Sequence, residues 1–199
     1  SAEGLQALES LSFTTEVTAH HMLLDRDSEG GAYLKVNPPL RTKEDRLALF
    51  QAFVSGRIDM LGSDHAPHTI EEKEQEFDVA PSGVPGVETT VPMMLAFMKR
   101  GTLPMEVLVS AMAEKPASRF NLNKGRLEVG RDADLMVVDP RAAAPIKVNY
   151  LHSKCGWTPF EGREAIFPRM VFVRGELVVE DGEPVGERAG RDVVAAERS

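Results

Sequence analysis

An acidic residue and two histidines follow directly on an apolar run, in the segment Gly62-Ser63-Asp64-His65-Ala66-Pro67-His68. The apolar run, residues 58–61, predicts a buried strand whose end delivers polar groups to one rim of a sheet or barrel. Parallel α/β folds place catalytic groups at the carboxyl ends of strands, because the loops there vary while the strands hold position. A carboxylate binds hard metal ions or accepts a proton, and an imidazole binds a metal or donates to an anion. The alternative at this point is a turn with two solvated histidines.

Composition narrows the function classes. The 199 residues carry a formal net charge of −8, and no basic stripe is present, which argues against nucleic acid or an anionic membrane as a partner. The single cysteine, Cys155, excludes an internal disulfide framework and favours a cytoplasmic location. No apolar run approaches the roughly 18 residues of a membrane span.

Strands and helices alternate in the first part of the chain. Leucines at helical spacing predict a short helix over residues 2–11, and a β-branched run predicts a strand over 13–18. Thr42 is predicted to cap a helix that ends at Gly56, and the strand at 58–61 follows. This order is typical of parallel βα units.

The middle of the chain predicts two further helices, over residues 87–99 and 104–113, after a turn-rich loop at 81–86. The charged run Glu71-Glu72-Lys73-Glu74-Gln75-Glu76 is predicted to be a solvated face.

From residue 124 the pattern changes to short strands separated by Gly and Asp turns. These strands are predicted at 126–130, 134–139 and 171–179. Short strands separated by such turns are typical of a β-sandwich. We therefore expect a boundary near residue 122 and a frayed tail after Gly186.

Several blocks of this chain resemble the dihydroorotases of the amidohydrolase superfamily. The segment Gly62-Ser63-Asp64-His65-Ala66-Pro67-His68-Thr69, followed by Glu71-Glu72-Lys73, is similar to the signature of that family. Further similar blocks follow in the same order and spacing: residues 16–24 (EVTAHHMLL), 35–41 (KVNPPLR), 82–89 (SGVPGVET), 125–135 (GRLEVGRDADL) and 153–160 (SKCGWTPF). The resemblance covers nearly the whole chain except the last dozen residues, although the stretch Gly-Arg-Asp-Ala-Asp-Leu is widespread among amidohydrolases.

The resemblance implies an α/β fold, with residues 1–122 as the C-terminal part of a (β/α)8 TIM-type barrel. Residues 123–199 would form part of a small β-sandwich domain. The implied reaction is the reversible interconversion of dihydroorotate and N-carbamoyl-aspartate in pyrimidine synthesis. A metal ion would polarise the ring carbonyl and activate water for that reaction.

The resemblance also assigns roles to particular residues. Asp64 matches the family's metal ligand and acid/base at the end of the last barrel strand. His68 matches a histidine that binds the substrate carboxylate, and Asn37 matches an asparagine that holds the substrate ring. The loop that contains Ser82 and Gly83 matches a segment whose backbone groups contact the substrate.

Three other histidines are expected to have structural roles. His65 follows Asp64 directly at a strand end, so its side chain should point to the opposite face from the Asp64 side chain. His20 and His21 invite a metal interpretation, but the family's metal-binding histidines lie elsewhere, so we expect packing or loop positions for both.

The resemblance implies one or two zinc ions, with every ligand except Asp64 lying upstream of Ser1. Because one carboxylate cannot hold a catalytic zinc, we expect the chain to be the C-terminal half of a dihydroorotase that needs its N-terminal half for activity. A homo-oligomer is a further expectation for the complete protein. Two alternatives stay open: a related allantoinase or hydantoinase, and a metal-free dihydroorotase-like subunit that scaffolds a partner enzyme.

Overall fold

The computed structural model describes residues 1–8, 13–186 and 190–191. Its helices and strands alternate in the first part of the chain, and strands dominate the last part. The α-helices are α1 (Ala2–Leu8), α2 (Ala19–Leu23), α3 (Lys43–Val54), α4 (Ile70–Lys73), α5 (Val87–Lys99), α6 (Met105–Val109) and α7 (Lys115–Arg119). The strands are β1 (Glu16–Thr18), β2 (Met60–Gly62), β3 (Leu135–Val137), β4 (Ala144–Pro145), β5 (Glu164–Ala165), β6 (Met170–Val173), β7 (Glu176–Glu180) and β8 (Glu183–Pro184).

Strands β1 and β2 form a parallel pair, with Val17 opposite Leu61. Both of these side chains are buried in the main apolar core. Since parallel strands end at the same edge, the segments that follow β1 and β2 emerge side by side. The predicted α/β order of strand, helix and strand is confirmed here, although both strands are shorter than the sequence pattern indicated.

Helices α3 and α5 contribute buried side chains to the same core as this pair and lie close to where the sequence predicted them. Thr42 caps α3 through its hydroxyl, which accepts the amide hydrogen of Asp45 at 3.3 Å. Helix α5 has the predicted bounds and buries Met93 and Met94 completely. The predicted helix over residues 104–113 is α6, continued by a π-helical turn at Ser110–Glu114 and then by α7.

The C-terminal part contains an antiparallel sheet in the order β3-β6-β7-β8, and a separate pair of strands, β4 and β5. The predicted strand over residues 126–130 is wrong. Leu127 and Val129 in that segment are 86% and 109% exposed and belong to no strand. An isolated extended segment needs a neighbouring strand for its backbone hydrogen bonds, and no described strand lies beside it.

The C-terminal part packs against the same core as the parallel pair. Ile146, Phe160 and Ile166 are almost completely buried and belong to the main core cluster. The Ile166 amide donates to the carbonyl oxygen of Pro92 in α5 at 2.9 Å. The chain therefore forms a mixed α/β structure in which the segment at β5 is anchored on α5.

One prediction about the surface is wrong at Lys73, and the prediction about the C-terminal tail is not tested. Lys73, which the charge pattern places on a solvated face, is completely buried. Apart from residues 190 and 191, the tail after Gly186 lies outside the described residues, so its predicted fraying stays a prediction. Within the part that the structure describes, no helix is both long and apolar enough to span a bilayer.

Candidate functional site

Asp64 stands just beyond the carboxyl end of β2, with its side chain 53% exposed. Its backbone adopts a left-handed conformation, with φ at 45°, which is uncommon for a residue other than glycine. Helix α2 begins directly after β1, at the same edge. The Oδ2 atom of Asp64 consequently lies 4.0 Å from Nε2 of His20, in the first turn of α2.

The His20 ring is buried, and its Nε2 atom has no hydrogen-bond partner among the described residues. Burial, helped by the neighbouring His21, lowers the pKa of His20 to about 3, so the ring is neutral at ordinary pH. The His21 ring contacts Oγ1 of Thr18 at 2.7 Å and the carbonyl oxygen of Pro38 at 2.9 Å. Both histidines take packed positions as predicted, but sequence reasoning missed the proximity of His20 Nε2 to Asp64.

His65 faces away from this edge. Its Nδ1 atom accepts the backbone amides of Gly86 at 3.1 Å and Val87 at 3.3 Å, where α5 begins. Because these amides have no partner within the helix, the imidazole supplies an acceptor at the helix start. The predicted structural role of His65 is confirmed.

His68, Ser82 and Gly83 lie together. Nε2 of His68 is 3.2 Å from the carbonyl oxygen of Ser82, and Nδ1 is 3.6 Å from Oε2 of Glu72. Gly83 has φ at 141°, and a Cβ atom there would lie 2.6 Å from the carbonyl oxygen of Ala66 and 3.2 Å from His68 Nε2. The close approach therefore requires glycine at position 83.

Asn37 connects two cavities. The larger, about 540 Å³, is lined by Asp64, Thr18, His21, Asn37 and Arg41 among others, and we call it the Asp64 cavity. The smaller, about 340 Å³, contains Asn37 and Ser82 in its wall, and we call it the Ser82 cavity. The exposed Asn37 side chain thus sits between the acid after β2 and the loop beside His68.

Arg41 is a candidate that sequence reasoning missed. Two arginines line the Asp64 cavity, and one of them, Arg46, is engaged by Asp25, with Nε 3.0 Å from Oδ2. The Arg41 guanidinium is exposed and pairs with none of the described residues. A free guanidinium in a cavity is suited to a carboxylate. The only sequence signal was the position of Arg41 at the end of the 35–41 block.

The side chains near Asp64 include ligand types that zinc prefers, but there are too few of them for a catalytic zinc site. Zinc accepts carboxylate oxygen and neutral imidazole nitrogen, and Asp64 and His20 offer one of each. Nowhere in the described parts of the chain do three or more His, Cys, Asp or Glu side chains form a group that could hold a metal ion. A catalytic zinc needs about three protein ligands, so the described residues can supply only part of such a site.

Comparison with known sequences gives a consistent assignment. The amidohydrolase family matches residues 2–178. A dihydroorotase from Methanosarcina mazei is 47% identical over 184 residues, which are 90% of this chain and 40% of the relative. A dihydroorotase from Halobacterium salinarum is 46% identical over 194 residues, covering 96% of this chain and 46% of the relative. The chain thus spans less than half the length of these curated relatives, and the resemblance read from the sequence motifs is confirmed.

Solved structures extend the likeness to the fold. The D-hydantoinase (dihydropyrimidinase) from Thermus sp. superposes with a TM-score of 0.86 at 34% identity, over 94% of this chain and 44% of that protein. The L-hydantoinase (dihydropyrimidinase) from Arthrobacter aurescens gives the same values. The mixed α/β arrangement is therefore the one found in hydantoinase-like proteins.

Proposed function

Because the chain belongs to the amidohydrolase family, we propose that it forms part of a zinc-dependent dihydroorotase, which interconverts dihydroorotate and N-carbamoyl-aspartate in pyrimidine synthesis. The observation that carries the proposal is the position of Asp64, beyond a parallel strand and facing a cavity that also holds Asn37 and Arg41. The identity of 46–47% to dihydroorotases, against 34% to the hydantoinases described above, favours dihydroorotate over a hydantoin as substrate.

Asp64 would hold a zinc ion through its carboxylate, with the remaining ligands supplied by sequence outside this chain. Such an ion, one or two per site, polarises a carbonyl and lowers the pKa of water. Asp64 accepts the proton of the water that attacks the ring carbonyl and delivers it to the amide nitrogen as the C–N bond breaks. The exposure of its side chain leaves the carboxylate accessible for both proton transfers.

The neighbouring side chains suit an anionic cyclic diamide. Arg41 offers a guanidinium to a carboxylate, and Asn37 offers both a donor and an acceptor to a ring amide. His68 would bind a substrate carboxylate by exchanging one of its present partners, the Ser82 carbonyl oxygen or Glu72. The backbone of Ser82 and Gly83, beside the His68 ring, completes this side of the proposed site.

The domain assignment follows from the same proposal. Residues 1–122 would be the C-terminal portion of a (β/α)8 barrel, and 123–199 would be part of a composite β-sandwich. The N-terminal half of the enzyme would then complete both the barrel and the zinc site. A cytoplasmic location and a homo-oligomeric state stay predictions.

A substrate panel tests the proposal against its alternatives. The complete enzyme, this chain together with its N-terminal half, is assayed with dihydroorotate, hydantoin and allantoin after loading with zinc. We expect hydrolysis of dihydroorotate with a kcat/KM at least about a hundredfold above the other two, a ratio within reach of differential transition-state binding. Preference for hydantoin or allantoin would support the related hydrolase instead. No turnover of any of the three would support the scaffold subunit.

A further inference from the structure

Lys73 is completely buried, although the residues on either side of it are exposed. Its Nζ atom donates to three backbone carbonyl oxygens, those of Pro81 at 2.9 Å, Gly83 at 3.1 Å and Lys35 at 3.4 Å. An ammonium group has three N–H donors and no acceptor, so these carbonyls use its whole capacity. Burial, and then the nearby Lys35 ammonium, lower the pKa of Lys73, as expected where carbonyl oxygens rather than a carboxylate surround the charge.

The three carbonyls determine the shape of the loop that carries Ser82. The oxygens of Pro81 and Gly83 both turn toward Lys73, while the intervening oxygen of Ser82 faces the His68 ring. The third acceptor, the carbonyl oxygen of Lys35, also receives the Gly83 amide at 2.9 Å. One ammonium thus ties residues 81–83 to the chain just before Asn37.

Trp157 closes the same cluster from the C-terminal part. Its ring lies 5.7 Å from the Lys73 ammonium, within the range of a cation–π contact. The indole Nε1 atom donates to the backbone carbonyl oxygen of His68 at 2.7 Å. The Tyr33 ring packs against the indole in a T-shaped arrangement, with ring centroids 5.0 Å apart. The loop at 81–83 and the backbone of His68 are therefore held by one buried cluster.

We propose that Lys73 is a positioning residue for substrate binding, whose buried ammonium holds residues 81–83 in the shape that presents Ser82 and Gly83 beside His68. The identity of the substrate that this loop binds rests on the proposed function. The role of Lys73 in holding the loop does not depend on it. Without the ammonium, the carbonyl oxygens of Pro81 and Gly83 have no other donor among the described residues. Buried acceptors without donors are costly, so the loop would rearrange to reach water. Among the described residues, the Asp64 carboxylate pairs with His20, which lies outside this cluster, so we expect the carboxylate to keep its position.

Two substitutions and a control test this inference in the complete enzyme. Lys73→Met keeps the length of the aliphatic stem and removes the ammonium, and Lys73→Gln returns an amide NH₂ with two N–H donors at shorter reach. The control, Lys115→Met, removes a lysine that pairs instead with Asp59 at 3.0 Å. Three quantities are measured for each variant: amide hydrogen exchange over residues 81–86, KM and kcat for dihydroorotate, and bound zinc.

We expect Lys73→Met to accelerate exchange over residues 81–86 and to raise KM, each by about tenfold or more, corresponding to the loss of one or two hydrogen bonds. The value of kcat should change by no more than about twofold, with bound zinc unchanged. Lys73→Gln should give smaller changes in exchange and KM. Lys115→Met should leave the exchange of residues 81–86 unchanged.

Several results would overturn the inference. These are unchanged exchange in Lys73→Met, faster exchange with an unchanged KM, and global unfolding of both Lys73 variants, since a local role requires the rest of the fold to survive. Failure of the native enzyme to act on dihydroorotate would contradict the proposed function alone. The exchange measurement would then still decide whether Lys73 holds the loop.

Discussion

Trp157 donates its indole N–H to the backbone carbonyl oxygen of His68 across 89 residues of sequence, with an N···O distance of 2.7 Å. This bond joins the C-terminal part of the chain to the segment that follows β2. Because the same indole covers the Lys73 ammonium, the C-terminal part contributes directly to the position of the proposed substrate-binding residues. It therefore does more than pack against the core.

Trp157→Phe keeps an aromatic ring in the cluster and removes this hydrogen bond. We expect a loss of about 1–2 kcal/mol in the free energy of unfolding, since the His68 carbonyl oxygen loses its donor. A several-fold rise in KM for dihydroorotate should accompany it as His68 loosens. Urea unfolding and steady-state kinetics measure both quantities. The control Tyr150→Phe alters an aromatic residue that is 70% exposed and should change neither, whereas an unaltered KM in Trp157→Phe would contradict the link.

Gly83→Ala introduces a methyl group where the backbone of Ala66 already lies, 2.6 Å from the new atom. We expect destabilisation by about 3 kcal/mol or more, from strain at positive φ together with overpacking. Gly101→Ala is the matched control, because Gly101 has φ at +72° and nothing within 4 Å of a Cβ atom. That variant should lose only about 1–2 kcal/mol, the strain alone. Thermal unfolding of both variants makes the comparison, and equal losses would show that the close approach to Ala66 is unimportant.

Arg41→Met removes from the Asp64 cavity a guanidinium that pairs with none of the residues that the structure describes. If it binds a substrate carboxylate, KM for dihydroorotate should rise by about tenfold to a hundredfold, as for a lost hydrogen bond to a charged group, with little change in kcat. Arg126→Met is the control, because Arg126 pairs with Glu114 at 3.4 Å and lines neither cavity of the proposed site. A KM unaffected by Arg41→Met would remove Arg41 from the proposed site.

His152 gives a prediction about pH. Its ring is 2.7 Å from Oε1 of Glu88 in α5, and this hydrogen bond raises the pKa of His152 above its usual value. Since the folded state holds the proton more tightly, the stabilisation is fully present below about pH 6.5, the usual pKa of histidine. It is lost as pH rises through the raised pKa of the folded state.

The corresponding measurement follows the melting temperature between pH 5 and pH 9, for the native protein and for His152→Gln. We expect the difference between the two proteins to be largest at low pH and to shrink as pH rises. NMR titration of the His152 ring reports its pKa independently. A difference that grows with pH would contradict the proposed contribution of the His152–Glu88 pair.

Local sequence signals predicted those elements whose stability is largely local. The cap at Thr42 and the apolar pattern of residues 87–99 gave α3 and α5, and the apolar run before Asp64 gave β2. The structural role of His65 also followed from sequence, because neighbouring residues at a strand end point in opposite directions.

Lys73 and the segment 126–130 show where such signals fail. A lysine among five acidic or polar residues has the pattern of a solvated face. It is buried by contacts with residues outside this run, namely three backbone carbonyl oxygens and the ring of Trp157. Leu127 and Val129 have the pattern of a strand, but a strand forms only beside a partner. In both places the outcome depends on whether distant parts of the chain come into contact, which a local pattern does not contain.

The most direct test of the central claim is the rate of dihydroorotate hydrolysis by the complete enzyme with Asp64→Asn. Asparagine keeps the size of the side chain but cannot accept the proton of water. We predict a fall in kcat of about 10²–10⁴-fold or more, the contribution of a general acid–base group. Asp59→Asn, which alters the carboxylate paired with Thr15 and Lys115, should keep most of the rate. An Asp64→Asn enzyme that retained its full rate would contradict the account.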